Sequence, residues 1–292
     1  VAVYKKILGN KLFRSEKSAL SFRAKLFFHY TWQGFYTRLN DWKHAYRSVN
    51  KLVSLFDSHP QQKELLVQYY VAVVRNLISC QFNLELYREV PESIERLKKI
   101  QSRSKRIREE AEVVAHIQEL VLCYNTKEFE KGVRLIRKLK KDFSKTEPLF
   151  PQYFIVLNFT MGIVFMGAND FSDANKCFSR IINDKPASIR SDIQCVTRLL
   201  SLIVHYEMGK QDLLEYTVRS CYRFLIKRNR LYKFENIMLR FIRDKVPHMN
   251  SAKAQRVAFA ELKNQLEKIS KDKYEKNILN YFDFIGWLEG KI

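Results

Sequence analysis

Six histidines (His29, His44, His59, His116, His205, His248) and five cysteines (Cys80, Cys123, Cys177, Cys195, Cys221) are the side chains of this chain best suited to nucleophilic or metal chemistry. No two of them, and no His with an Asp, have the close spacing of a metal-ligand pair. The eight glycines form neither a phosphate loop nor a dinucleotide fingerprint, and there is no nucleophile elbow. Glu109 and Glu110 are adjacent, so on a helix they point to different faces and read as a solvated surface. A catalytic site would have to be assembled from distant residues. The expectation is therefore a non-enzyme, with no catalytic residue, metal or cofactor. The cysteines are odd in number, far apart and set in apolar runs, which predicts buried free thiols in a reducing compartment.

The charge is less neutral than the chemistry. With 52 Lys and Arg against 31 Asp and Glu, the net charge is +21. Basic residues gather in three runs: Arg96, Lys98, Lys99, Arg103, Lys105, Arg106 and Arg108; Arg134, Arg137, Lys138, Lys140, Lys141 and Lys145; Lys227, Arg228, Arg230 and Lys233. One reading is a footprint for RNA or another polyanion, with Lys98, Lys99, Arg103, Lys105, Arg106, Lys138, Lys141, Arg228, Arg230 and Lys233 as contacts. The other is solvated outer helix faces, since cations near helix C-termini gain about 0.3–1 kcal/mol from the macrodipole. Single-stranded nucleic acid calls for aromatics among the cations, and Tyr232 and Phe234 beside Arg230 and Lys233 are the case that fits.

The elements that position these residues read best from Tyr153 to Pro186. A nearly all-apolar helix runs to about Gly167, Asn169 and Asp170 break it and cap a second, and that one ends before Pro186. Gly162 and Ala174 are small where two helices would cross, and Met161, Phe165, Phe178 and Ile181 would fill the holes beside them. This ordered set, closed by Pro186, resembles the tetratricopeptide repeat; it departs where Asn158 stands in place of the family's usual Trp. The resemblance implies helical hairpins stacked in a right-handed superhelix.

The capping turn recurs. Asp41-Trp42, Asn83-Leu84, Glu128-Phe129, Asp170-Phe171 and Asp212-Leu213 follow one another at steps of 42, 45, 42 and 42 residues. A fixed period with one helix before and one after each marker predicts a solenoid. It exceeds the family's usual ~34, so helices or links are longer. The expected fold is all-α: a single domain over 1–292 with about six hairpins (18–60, 62–103, 105–146, 149–186, 188–228, 230–271) and a terminal cap (272–292). Within it, residues 2–9 form a leading helix, Pro91 opens the second helix of the second hairpin, and Tyr216 stands where a small residue belongs. Helices are expected from Leu231 to Val246, from Ser251 to Ile269 with Val257, Phe259, Leu262, Leu266 and Ile269 on its apolar side, and from Lys273 to Leu288. The closing segment resembles the C-terminal end of bacterial helical-repeat proteins. The chain opens on Val1 rather than Met, as a processed chain or a piece of a longer one would.

In a stack of such hairpins the first helices line the concave side. Projection by the 42–45 residue ruler places Tyr30 and Gly34, Tyr69 and Asn76, Ile117 and Tyr124, Phe159 and Ile163, and Arg198 and His205 there. Aromatics mixed with amide, Arg and His suit a peptide or helix laid in a groove. The family's carboxylate clamp of Lys and Asn is not visible on these helices. The longest apolar run, Tyr153 to Met166, is shorter than the roughly 18–20 residues a membrane helix needs. The expectation is a cytoplasmic, non-enzymatic scaffold for a protein or peptide partner, gripped by Tyr30, Tyr69, Asn76, Tyr124, Phe159, Arg198 and His205; the alternative partner is RNA or another polyanion.

Overall fold

The computed structural model describes residues 2–143, 151–184, 188–272 and 275–292. Lys145, Pro148 and Pro186, and the side chains of Lys140 and Lys141, lie outside the described residues. Among the described residues the chain is all-α, without strands. It forms two compact units, Val1–Thr126 and Lys127–Ile292; the division falls inside the third expected hairpin.

The N-terminal unit holds α1 (Ala2–Leu8), α2 (Phe22–Arg38), α3 (Trp42–Asp57), α4 (Pro60–Leu65), α5 (Val67–Asn83), α6 (Val90–Lys98) and α7 (Lys105–Asn125). The C-terminal unit holds α8 (Phe129–Phe143), α9 (Pro151–Gly167), α10 (Phe171–Asp184), α11 (Ser191–Glu207), α12 (Gln211–Ile226), α13 (Lys233–Arg240), α14 (Ala252–Ile269) and α15 (Phe284–Glu289). In both, helices pack on their neighbours in sequence: α2 on α3, α3 on α5, α5 on α6 and α6 on α7; then α9 on α10, α10 on α11 and α11 on α12. This neighbour-to-neighbour packing is the pattern of a helical repeat.

The apolar stripes explain the pairing. In α3, Ala45, Val49, Leu52, Val53 and Phe56 are buried, a spacing that keeps one face inward. Ala45 and Ala174 are fully buried, the small contact residues of their hairpins. In α12 the buried residues are Leu214, Val218, Cys221 and Leu225, which turns Tyr216 outward at 70 % exposure. The position expected to be small therefore faces solvent, and its size is no obstacle.

Turns between helices share one device. Asn40, Glu85, Lys127, Asn169 and Gly209 take left-handed backbone angles, φ between 58 and 67°. After Asn40, Glu85, Asn169 and Gly209 the next N–H reaches five residues back: Asp41 to Tyr36 O, Leu86 to Gln81 O and Asp170 to Phe165 O at 2.9 Å each, and Lys210 to His205 O at 3.0 Å. These bonds satisfy carbonyls that a helix end leaves open. Asp41 and Asp170 then cap the following helices through the N–H of His44 (3.2 Å) and Asp173 (3.1 Å). The 83–84 marker behaves differently: it ends α5, and α6 starts at Val90 with Pro91 in its first turn. Asp212 lies inside α12, which begins at Gln211.

Left-handed angles cost a residue with a Cβ about 1 kcal/mol. Glu85→Gly is expected to raise the unfolding free energy of the N-terminal unit by up to about 1 kcal/mol, the strain relieved less the chain entropy of glycine. Gly209→Ala is expected to lower that of the C-terminal unit by a similar amount, because no atom lies within 4 Å of the added Cβ and only the backbone is penalised. Urea titrations of the two variants check both signs.

Other boundaries shift for local reasons. α2 starts at Phe22 rather than Ser18, because Ser21 accepts the Ala24 N–H at 3.1 Å and sets the N-cap. The helix expected over 231–246 is α13 followed by a π turn (Phe241–Lys245) and a 3-10 turn (Val246–His248) at Pro247. In α14, Phe259, Leu262 and Leu266 are buried but Val257 is 53 % exposed. The terminal helix expected from Lys273 begins as a 3-10 stretch (Glu275–Asn280), and α15 follows only at Phe284.

The C-terminal segment folds back over its own unit. Tyr281 donates to Asp192 Oδ2 at 2.9 Å, Trp287 Nε1 to Glu207 at 2.7 Å, and Lys291 pairs with Glu207 at 2.6 Å. Its own Ile278, Phe282, Phe284 and Leu288 are buried there.

Candidate functional site

The N-terminal unit joins two of the expected groove residues, Tyr69 and Asn76, to side chains of α2. Phe27 and Tyr69, on α2 and α5, meet edge to face with ring centroids 5.9 Å apart, yet are 46 % and 39 % exposed. Further along the same two helices, Asn76 Nδ2 donates to Gln33 Oε1 at 3.1 Å, and Gln33 Nε2 to Thr37 Oγ1 at 2.9 Å. Gln33 is buried, so this amide pair fixes the register of α2 against α5. Tyr30 is half-buried on α2 between these two contacts in sequence. The result is a partly exposed aromatic pair backed, further along the helices, by a bonded amide pair, an arrangement that can take an apolar peptide side chain. Phe27 was missing from the sequence-based set; it lies 42 residues before Tyr69, so the ruler already pointed to it. Gly34 is covered, since a Cβ there would meet the Tyr4 hydroxyl at 2.6 Å. Tyr124 is half-buried on α7, and Ile117 is core.

In the C-terminal unit the projected groove residues part company. Phe159 and Ile163 are core, each 5 % exposed. Phe159 packs against Phe178 (6.3 Å) and is met edge-on by Tyr281 (6.2 Å), so the returning segment covers the position. Arg198 lies with its guanidinium 3.4 Å over the Phe224 ring, and Arg228 lies 3.6 Å over the same ring. Burial lowers the Arg198 pKa to about 10, and its N–H groups go to the carbonyls of Gln194 and Ile182. His205 is half-buried, 3.4 Å from Thr217 Oγ1, and desolvation lowers its pKa.

The basic residues divide in the same way. Lys98 is neutralised by Glu119 (2.6 Å) and Glu95 (3.5 Å), and Lys105 lies 3.7 Å from Glu109. Lys138 and Lys233 are exposed, and Arg106 is exposed at the start of α7. Phe234 is 1 % exposed and packs on Phe284, which removes it as a stacking platform; Tyr232 alone of that pair reaches solvent, and beside it Arg230 lines a cavity of acidic groups.

That cavity, of about 190 Å³, is lined by Asp192, Cys195, Arg230, Glu235, Glu275 and Tyr281 among others. Burial, aided by Glu275, raises the Glu235 pKa to about 7. Burial raises the Cys195 thiol to about 11, and burial with the Asp192 charge raises Tyr281 to about 12. Asp192 falls to about 2, because the hydrogen bonds and charge of Arg190, with Tyr281, outweigh its desolvation. Such shifts also mark catalytic clefts, but here each carboxylate is engaged in structure. Glu275 accepts the N–H groups of Lys233 (3.1 Å) and Phe234 (3.0 Å) at the start of α13, and Glu235 accepts that of Tyr232 (3.1 Å). The cluster fastens the C-terminal segment to α11 and α13. Its members lie up to 89 residues apart, and no spacing in the sequence links them.

Among the described residues no group of His, Cys, Asp and Glu is placed to hold a metal ion, and no helix is long and apolar enough to cross a membrane. Set against known family models, curated proteins and solved structures, the chain matches none.

Proposed function

We propose that the chain is a non-enzymatic, tetratricopeptide-like scaffold, cytoplasmic in setting, which holds a protein or peptide segment on the first-helix face of its N-terminal unit. The observation that carries this is the exposed Phe27–Tyr69 pair, ordered by ring contact and backed by the Gln33–Asn76 bond. Preordered aromatics give large contact area at little entropic cost. Tyr30 and Asn76 would fix register. The test is affinity capture with wild type and a Phe27→Ala/Tyr69→Ala variant, followed by titration of the recovered partner. A specific partner should bind the variant at least about tenfold more weakly, as removal of two aromatic anchors implies, while circular dichroism and melting stay near wild type. Equal binding by both proteins overturns the assignment of the face.

A polyanion remains the second reading because Lys99 and Arg103 make no ion pair among the described residues and the net charge is +21. Copurifying nucleic acid whose affinity falls steeply with salt would favour it.

A further inference from the structure

A second surface in the N-terminal unit is built for a particular kind of partner. An open cavity of about 590 Å³ lies between α4, the start of α5 and the end of α6, closed by residues 100–103. Pro60, Val67, Tyr70 and Ile100 give it apolar walls, and Lys63, Arg96, Lys99 and Arg103 its cations; among the described residues Glu64 is the one carboxylate lining it.

The cations fall into two sets. Lys63 and Arg96 share Asp57, at 3.5 and 2.8 Å, and Arg96 also lies 3.5 Å from Glu92, so two carboxylates bring the inner wall near charge balance. The Lys63 ammonium also sits 4.1 Å above the Tyr70 ring. Lys99 and Arg103, at the rim, are exposed and make no ion pair among the described residues, so their positive potential is uncompensated where a ligand would enter. An apolar floor below a cationic rim matches a ligand carrying apolar and anionic groups side by side. Nucleic acid fits poorly. Among the described residues the aromatic in the lining is Tyr70, which is 1 % exposed and cannot stack on a base.

We infer that this cavity docks an acidic peptide segment, with an aliphatic side chain against the accessible Pro60 and Ile100 and carboxylates at Lys99 and Arg103. The inference rests on the reading above only in taking the partner to be a peptide; the surface is a separate one.

The test is fluorescence anisotropy on the full chain with a labelled peptide of alternating Glu and Leu, against the same peptide with every Glu replaced by Gln. The Glu peptide should bind at least about tenfold more tightly, and Lys99→Glu/Arg103→Glu should remove about that factor. Lys253→Glu/Arg256→Glu, an equal change of charge on α14, should leave affinity within about twofold, which separates the cavity from the general field of a basic protein. Ile100→Ser should weaken binding of the Glu–Leu peptide with the cations intact. Circular dichroism verifies that each variant is folded. Equal losses from the two charge reversals, equal binding of the Gln peptide, or competition by single-stranded RNA that depends equally on Lys99 and Arg103 would overturn the inference. A loss in Phe27→Ala/Tyr69→Ala with none in Lys99→Glu/Arg103→Glu would also overturn it, while leaving the first-helix face standing. The converse pattern would sustain the cavity and sink the face.

Discussion

Gly162→Ala is expected to destabilise the C-terminal unit by about 2–3 kcal/mol, although alanine is the better helix former by about 1 kcal/mol. The added Cβ would lie 2.2, 2.7 and 2.8 Å from three atoms of the Phe178 ring. Phe178 is fully buried and cannot swing aside, so α9 and α10 must separate or the ring must leave its rotamer. The contact predicts its own repair: Phe178→Leu should lose much of its cost in the Gly162→Ala background, and a double-mutant cycle in urea should show coupling of about 1 kcal/mol or more. Gly167→Ala makes a useful contrast. Its Cβ would meet Phe129 at 2.3 Å, but that ring is only half-buried and has room to give. A stable Gly162→Ala protein would mean that the hairpin contact is looser than the backbones imply.

The second large effect depends on pH. Glu235 has a folded pKa of about 7 against an ordinary value of 4.5, because burial and Glu275 disfavour its charge. A raised carboxyl pKa means that the folded state binds the proton more tightly than the unfolded one. Its contribution to stability is therefore full below 4.5 and is lost as pH rises through 7. Glu235→Gln cannot ionise, and its side-chain oxygen can still accept the Tyr232 N–H. The variant should match wild type near pH 4 and exceed it by about 1–3 kcal/mol at pH 8, given about 1.4 kcal/mol per pKa unit. Chemical denaturation across that range measures the difference. A gap that does not change with pH would show that Glu235 ionises freely in the folded protein.

The parts of the fold legible in the sequence are those where a residue type answers a geometric demand. Gly162 against Phe178 was readable because two helices can approach closely only where one side chain is missing. Asp41 and Asp170 were readable because a cap needs a short acceptor. The left-handed turns at Glu85 and Lys127 were not, since neither residue type advertises that conformation; only the spacing that runs on from Asn40 through Asn169 exposes them. The candidate site shows the same limit. Tyr30 and Phe159 occupy equivalent places on the ruler, but Tyr281 arrives from more than a hundred positions along the chain to cover Phe159. Phe234 lies two residues from exposed Tyr232 and is buried, because Phe284 packs on it. Burial set by contacts so distant in sequence leaves no local trace. The uncompensated state of Lys99 beside neutralised Lys98 also depends on where Glu119 of α7 falls.

The sulfur atoms offer a built-in count of which half of the molecule has opened. All five thiols are buried, two of them in the N-terminal unit (Cys80, Cys123) and three in the C-terminal one (Cys177, Cys195, Cys221). Burial holds Cys80, Cys177 and Cys221 near 12, so in the native state they are poor nucleophiles at neutral pH. In mild denaturant a maleimide would thus add two mass tags to a molecule whose first half alone has melted, three if only the second has, and five once both have, so a single intact mass spectrum reads out the order of unfolding.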